Sequence, residues 1–252
     1  YAGLGRRDAT WNLSAAPEFS VQPKRWWFPV AGCVNYRGYF DEERAARAAR
    51  HQQKRGLDVH VGPSIAYSTL GHLQDPVLNT MLGYGDAELA AFIIHELAHQ
   101  AVYAPSDSDF NEAFATVVET EGLRRWLARV ERTAELDAFL SARDRQQAMA
   151  EKMVETRARL AMLYTSGAAE HELRAAKAAE LARLSAFLKS GGLAVNGDLN
   201  NARLAAIATY QRCVPALTAE LARLDNDLPV FYATMKSIAR DPSARQKLCP
   251  SA

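Results

Sequence analysis

From Gly122 to Leu188 the sequence contains no proline and is dominated by Ala, Arg, Glu and Leu. No other feature narrows the fold so far. Proline breaks helices because it lacks an amide hydrogen and its ring clashes with the preceding turn. Apolar residues recur three and four apart across this stretch: Trp126, Leu127 and Val130, then Leu160, Leu163 and Tyr164, then Leu173, Leu181, Leu184 and Leu188. That is the helical period. The pattern predicts long helices, with a reversal at "TSGAAE" and a stop at Gly191 and Gly192. A helix over 143–165 would run about 35 Å at 1.5 Å per residue.

The chain before Gly122 has a different texture. Residues 1–40 are rich in aromatics, Pro and Gly, and "RWWFPVAGCVNYRGYF" reads as extended chain broken at Pro29, Gly32 and Gly38. "DEERAARAARHQQKRG" reads as a helix. Asp41 caps it, Glu42 and Glu43 suit the positive end of its dipole, basic residues suit its last turn, and Gly56 stops it. "LDVHVG" alternates as a strand does, and "SIAYSTLG" is a second extended piece ahead of a turn at "GHLQDP". Two more helices are expected over 199–224 and 228–240, with Asn200 and Asn201 at the start of the first. Strands come first and helices follow, which is the α+β class. The expected architecture is a small, mostly antiparallel N-terminal sheet with a helix pair, then a largely helical C-terminal half with a long helical hairpin. Residues 1–122 are expected to form the core, 123–190 the hairpin, and 191–252 C-terminal helices packed on the core.

Charge and cysteine usage limit the partners. Lys plus Arg (30) nearly balance Asp plus Glu (29), so nothing points to nucleic acid. No apolar run approaches the roughly 20 residues that span a bilayer. Cys33, Cys213 and Cys249 form no CxxC pair, which argues against a thiolate metal knuckle. They are compatible with three thiols or with one disulfide, for which Cys213–Cys249 is the preferred pair. The chain opens at Tyr1 without a methionine, and the expectation is an upstream segment carrying any secretion signal.

The chemistry concentrates in "IIHELAHQAVYAPSDSDFNEAFATVVE", residues 93–119. A helix is predicted over 86–104, with Asp86 as its N-cap and Leu89, Phe92, Ile93, Leu97 and Val102 as its apolar positions. Residues four apart share a helix face, so His95 and His99 can turn imidazole nitrogens to one metal ion. Glu96 lies about 100° round from them, beside such an ion and not on it. This is the HExxH pattern of two zinc ligands and a general base. A histidine on an apolar helix is commonly just a hydrogen-bonded core residue, so the pattern needs a third ligand to gain weight. A second helix beginning near Asn111 places Glu112 in its first turn, where a short loop can fold it back onto the same ion. Catalytic zinc keeps three protein ligands and an open position, and water on it ionises near neutral pH, within reach of Glu96. Glu119 lies two turns beyond Glu112 on the same face. It can accept the outer N–H of a ligand histidine, or it is a plain surface glutamate.

The oxyanion of a tetrahedral intermediate needs a donor. Tyr67, His72 and Tyr210 are the candidates, each with an ordinary structural role as the alternative. "SIAYSTLG" can offer a sheet edge to an extended peptide, a usual peptide-binding mode. His51, His60 and His171 lack ligand spacing.

"HELAHQ" followed by "NEAFATVVE" resembles the gluzincin metallopeptidases, in particular the aminopeptidase N group. The wider pattern, "AAPEFS", "FPVAGCVNYRGYF", "AYSTLG", "DPVL", "FNEAFATVVETEGLRRW" and "NNARL", is similar to a bacterial family of predicted aminopeptidases and covers nearly the whole chain. The resemblance implies zinc as cofactor, His95, His99 and Glu112 as its ligands, Glu96 as base, and a peptide as substrate. Members of that family carry a secretion or lipoprotein signal, which implies a periplasmic or membrane-anchored protein. One departure matters: "AYSTLG" stands where the aminopeptidase N group has an amine-binding glutamate, and it holds no acidic residue, the nearest downstream being Asp75. The expected function is therefore zinc-dependent peptide hydrolysis, as an aminopeptidase or as an endopeptidase with the same site. The rival from another class is a non-catalytic partner-binding protein working through the arm at 123–190. Glu96 weighs against that rival, because a purely structural site has no use for a base.

Overall fold

A computed structural model of the chain describes residues 1–29, 32–65, 76–192, 199–211 and 213–250, the side chains of 208–211 excepted. The fold is α+β, with a small antiparallel N-terminal sheet followed by helices. Strand β1 (Thr10–Pro17) is central in a three-stranded sheet, flanked by β4 (Arg37–Tyr39) and β5 (Leu57–Ser64). Both pairings are antiparallel, and Leu13 sits opposite Arg37 on one side and Val61 on the other. Strands β2 (Trp26–Phe28) and β3 (Gly32–Val34) form a separate small antiparallel pair.

Successive strand residues point to opposite faces. Ala15 and Ala16 of β1 are both fully buried, so both faces of the sheet are covered. Helix α1 (Glu42–Gln53) and helix α6 (Asn201–Gln211) pack against β1 and β5. The predicted N-cap of α1 is present: Asp41 accepts the Arg44 amide at 2.7 Å, and acidic residues fill the first turn; the helix ends at Gln53 with Lys54 as C-cap, ahead of Gly56. Asn200 caps α6 by accepting the Arg203 amide at 3.0 Å, and it donates to the Val59 carbonyl at 2.9 Å. The side chain of Asn201 donates to the carbonyls of Pro17 and Glu18. Both asparagines therefore fasten α6 to the sheet.

Two helices carry the site. Helix α2 spans Asp86–Ala101 and α3 spans Ser108–Arg129, and they pack closely along their length. An added methyl at Gly122 of α3 would lie 3.1 Å from Ile94 of α2, so glycine there lets the helices approach. The long hairpin follows as α4 (Thr133–Tyr164) and α5 (Glu170–Ser190), with Met153, Leu160, Leu184 and Leu188 in a shared core that also includes Val21 and Leu204. Helices α7 (Val214–Arg223), α8 (Leu228–Arg240) and α9 (Pro242–Leu248) close the fold against α3. Phe114 of α3 stacks on Phe231 of α8 with ring centres 5.8 Å apart, and both are fully buried. Cys213 and Cys249 form a disulfide across this unit, with Cα atoms 5.3 Å apart, and Cys33 is a free thiol.

Several boundaries differ from the sequence expectations. The N-cap of α2 is Gly85, not Asp86, whose carboxylate instead accepts from Arg132 at 3.2 Å. Helix α3 starts at Ser108, where Asp107 caps it by accepting the Phe110 amide, so Glu112 falls in the second turn and not the first. Over the stretch 199–224, where a helix was expected, the structure has two, α6 ending at Gln211 and α7 beginning at Val214, with Pro215 in the first turn of α7. Helix α9 was not anticipated, although Asp241 caps it and Pro242 opens it. Leu97, expected on the buried face of α2, is 54% exposed. Its place in the interface is taken by Ala87, Ala91, Ile94 and Ala98.

Candidate metal centre

The loop between α2 and α3 is fastened by hydrogen bonds on both sides. Asn111, buried at the start of α3, accepts the Ala104 amide at 2.8 Å and donates to the Ala104 carbonyl at 2.9 Å. Both hydrogen-bonding groups of one loop residue are thus satisfied by one side chain. From outside, the β2–β3 pair leans on the same loop: Cys33 donates its amide to Ser106 Oγ at 3.0 Å, and Arg25 donates to the Ser106 carbonyl at 2.7 Å. Gly32 has φ +73°, and any methyl there would meet Ser106 Oγ at 2.4 Å, so both backbone angle and space demand glycine.

Glu112 follows Asn111 directly, and its carboxylate faces the two histidines of α2. His95 Nε2 lies 3.4 Å from Glu112 Oε2, and His99 Nε2 lies 3.8 Å from the same oxygen. One donor atom from each of the three residues falls within 4.8 Å of the others. Those separations are long for hydrogen bonds. They match the spacing of donors around one ion: two ligands about 2.1 Å from a metal at a tetrahedral angle stand about 3.4 Å apart. The donor set, two imidazoles and a carboxylate, suits a zinc-like ion, and the residues present fit one.

The electrostatics agree. Glu112 and Glu119 are buried, and buried carboxylates need compensation by a cation or by hydrogen bonds. Burial, the largest cause, pushes the His99 imidazole below its usual range; Glu112 opposes this and His95 adds to it. A neutral imidazole is the form that ligates. His99 Nδ1 is buried and has no hydrogen-bond partner among the described residues. His95 Nδ1 is held by Glu119 Oε2 at 3.0 Å, which turns Nε2 to the cluster. The predicted helix pair thus brings His95, His99, Glu112 and Glu119 together. Glu96 is partly buried and one position round from the donors. Tyr67 and His72 lie outside the described residues, as does the side chain of Tyr210.

Two tyrosines that the sequence reading did not single out stand near the donors. Burial raises the Tyr36 hydroxyl pKa most, and the charges of Glu112 and Glu96 raise it further, with Tyr103 contributing between them. Tyr103 is likewise raised by burial and then by Glu112. Tyr36 sits between β3 and β4, in the very segment "GCVNYRGYF". Tyr103 is four residues past His99, a spacing legible in the sequence. Tyr36 also lines a cavity of about 240 Å³ with Asn12, Ser14, Asn35 and His60. Burial, ahead of the nearby Arg203 charge, holds His60 neutral with a pKa of about 4. Among the described residues no carboxylate lines this cavity.

Compared with known proteins, residues 1–249 match a family model described as "Putative aminopeptidase". No curated protein and no solved structure matches the chain.

Proposed function

The chain belongs to the Putative aminopeptidase family, and from that membership we propose that it is a zinc-dependent peptidase whose ion is held by His95, His99 and Glu112. The observation that carries this reading is the convergence of the three donor atoms within 4.8 Å, a spacing that suits an ion, with a further carboxylate, Glu96, next to His95 in the sequence. When bound, zinc supplies Lewis acidity that polarises a carbonyl and makes an attacking water acidic near neutral pH. Glu96 then takes the proton of the attacking water and passes it to the departing amine. Tyr36, kept protonated by its surroundings, donates to the carbonyl oxygen as negative charge grows there. Glu119 holds His95 in the tautomer that leaves Nε2 free. The disulfide between Cys213 and Cys249 favours an oxidising compartment, in keeping with a periplasmic protein.

The family name makes peptides with a free N-terminus the first substrates to offer. The lack of an acidic residue in "AYSTLG" favours an endopeptidase as the second reading. Protein purified without chelator is expected to hold about one zinc per chain, as a three-ligand site implies. It should hydrolyse peptides, lose that activity to a chelator and regain it with zinc, and blocking the peptide's N-terminus should not abolish cleavage. Elemental analysis showing no metal, even after zinc is supplied, would overturn the reading. Release of N-terminal residues from free-amine peptides alone would restore a strict aminopeptidase.

Tyr36→Phe tests the donor. Removing one oxyanion donor typically costs about 10²–10³ in kcat. The variant should show that loss with KM and zinc content near wild type. Unchanged turnover would remove Tyr36 from the mechanism and pass the role to another residue, Tyr103 first.

A further inference from the structure

We propose that Arg143, on the long hairpin, is a positioning residue of the metal centre: it holds Glu119, and Glu119 holds His95. This inference rests on the zinc reading above and extends it to a part of the chain remote in sequence.

The connection is direct. The Arg143 guanidinium forms an ion pair with Glu119 Oε1, while the other oxygen of the same carboxylate, Oε2, lies 3.0 Å from His95 Nδ1. Glu119 is only 6% exposed, so it has little water to turn to. A buried carboxylate with one oxygen unpartnered is free to rotate and is costly to keep charged. With Arg143 on one oxygen, the other has a single orientation, toward the imidazole. That fixes the ring, its tautomer, and the direction of the Nε2 lone pair. Carboxylates behind ligand histidines commonly act this way, and here the carboxylate itself is oriented by a cation on another helix.

The hairpin is set to deliver that cation. Leu136 and Phe139, two turns and one turn before Arg143 on α4, pack against Ala87, Ala91, Leu123 and Leu127, which belong to α2 and α3. The base of α4 therefore rests on both helices that carry the metal donors. The Arg143 guanidinium also stands over the Phe139 ring, 5.2 Å from its centre. On its other side Arg143 borders a cavity of about 640 Å³ between α3, α4 and α7. The guanidinium is thus held by Glu119 and Phe139 with open space alongside, so shortening it removes an ion pair while displacing little packing.

The test measures zinc affinity by chelator competition on the full chain, together with the visible spectrum of the cobalt-substituted protein and the melting temperature of the metal-free protein. Loss of such an outer partner typically weakens metal binding about 10–100-fold. Arg143→Met and Arg143→Gln are both expected to show that loss and an altered cobalt spectrum, with metal-free melting close to wild type. Arg143→Lys, which keeps the charge but not the fork, should recover part of the affinity. Arg124→Met is the control. Its guanidinium pairs with Glu121 on the same helix at 2.7 and 2.8 Å, away from the donor cluster, and its loss should leave zinc affinity unchanged. Wild-type zinc affinity in either folded Arg143→Met or Arg143→Gln overturns the inference and leaves the zinc reading standing. Absence of zinc binding in the wild-type chain overturns both.

Discussion

Glu112→Gln is expected to lose its zinc, whereas Glu96→Gln keeps zinc and loses turnover. The two glutamates look alike in the sequence, and the structure separates them. Glu112 Oε2 lies 3.4 and 3.8 Å from the two imidazole Nε2 atoms, about the separation of two donors to one ion. An amide there removes the negative charge that the ion neutralises and offers a weaker donor. Glu96 follows His95 on the helix and lies about 100° round from it, outside the donor triangle. Its amide variant keeps size and polarity but cannot take a proton. General-base catalysis contributes about 10²–10⁴-fold, and peptide cleavage by Glu96→Gln should fall by at least that order. Metal content, peptide cleavage and circular dichroism on both variants decide the matter. If Glu96→Gln loses the metal and Glu112→Gln keeps it, the roles are reversed. Full activity in Glu96→Gln would remove the hydrolytic mechanism.

The second large effect concerns stability. Phe231→Ala should cost about 3–5 kcal/mol, the usual range for truncating a fully buried aromatic. Phe231 is fully buried and stacks on Phe114, which itself meets Tyr232 edge-on at 5.5 Å. The cluster includes Met235 and Leu217, so the void would open where α3, α7 and α8 meet, and the surrounding helices cannot close it without moving α3. For a chain of this size each kcal/mol moves Tm by about 2–4 °C, which sets the expected drop at about 6–20 °C. If the chain binds zinc as proposed, added zinc should raise the Tm of the variant as it does that of the wild type, by binding the folded form in preference to the unfolded. A Tm unchanged in Phe231→Ala would show that α8 does not hold α3 in place.

The sequence made the centre legible because its chemistry is local. His95, His99, Glu112 and Glu119 lie on two consecutive helices, and helical spacing alone brings the first pair to one face. The N-cap of α1 was legible for the same reason, since Asp41 acts on its immediate neighbours. Leu97 misled because large apolar residues were given the buried face. The interface on α3 is instead lined by Ala87, Ala91, Ile94 and Ala98, a stripe at helical spacing made mostly of small residues. Two helices that pack at close range select alanine and glycine, which a search for leucine passes over. Helix α3 begins at Ser108 because Asp107 outcompetes Asn111 as cap, leaving Asn111 to close the loop. Tyr36 reaches the site only through the docking of β3 and β4, which no local pattern encodes.

The fastening of the loop by Asn111 has a consequence for the order of events as the chain folds. Eighteen consecutive residues, 95 to 112, contain the three proposed metal donors, and the turn between their helices is tied by a side chain within that same segment. Closing so short a loop costs little chain entropy, and local contacts form early. Tyr36 and Arg143 arrive from far outside the segment, through the sheet and through the hairpin. The donors proposed for the metal can thus be brought together by local folding, while Tyr36 and Arg143 reach them only through contacts distant in sequence.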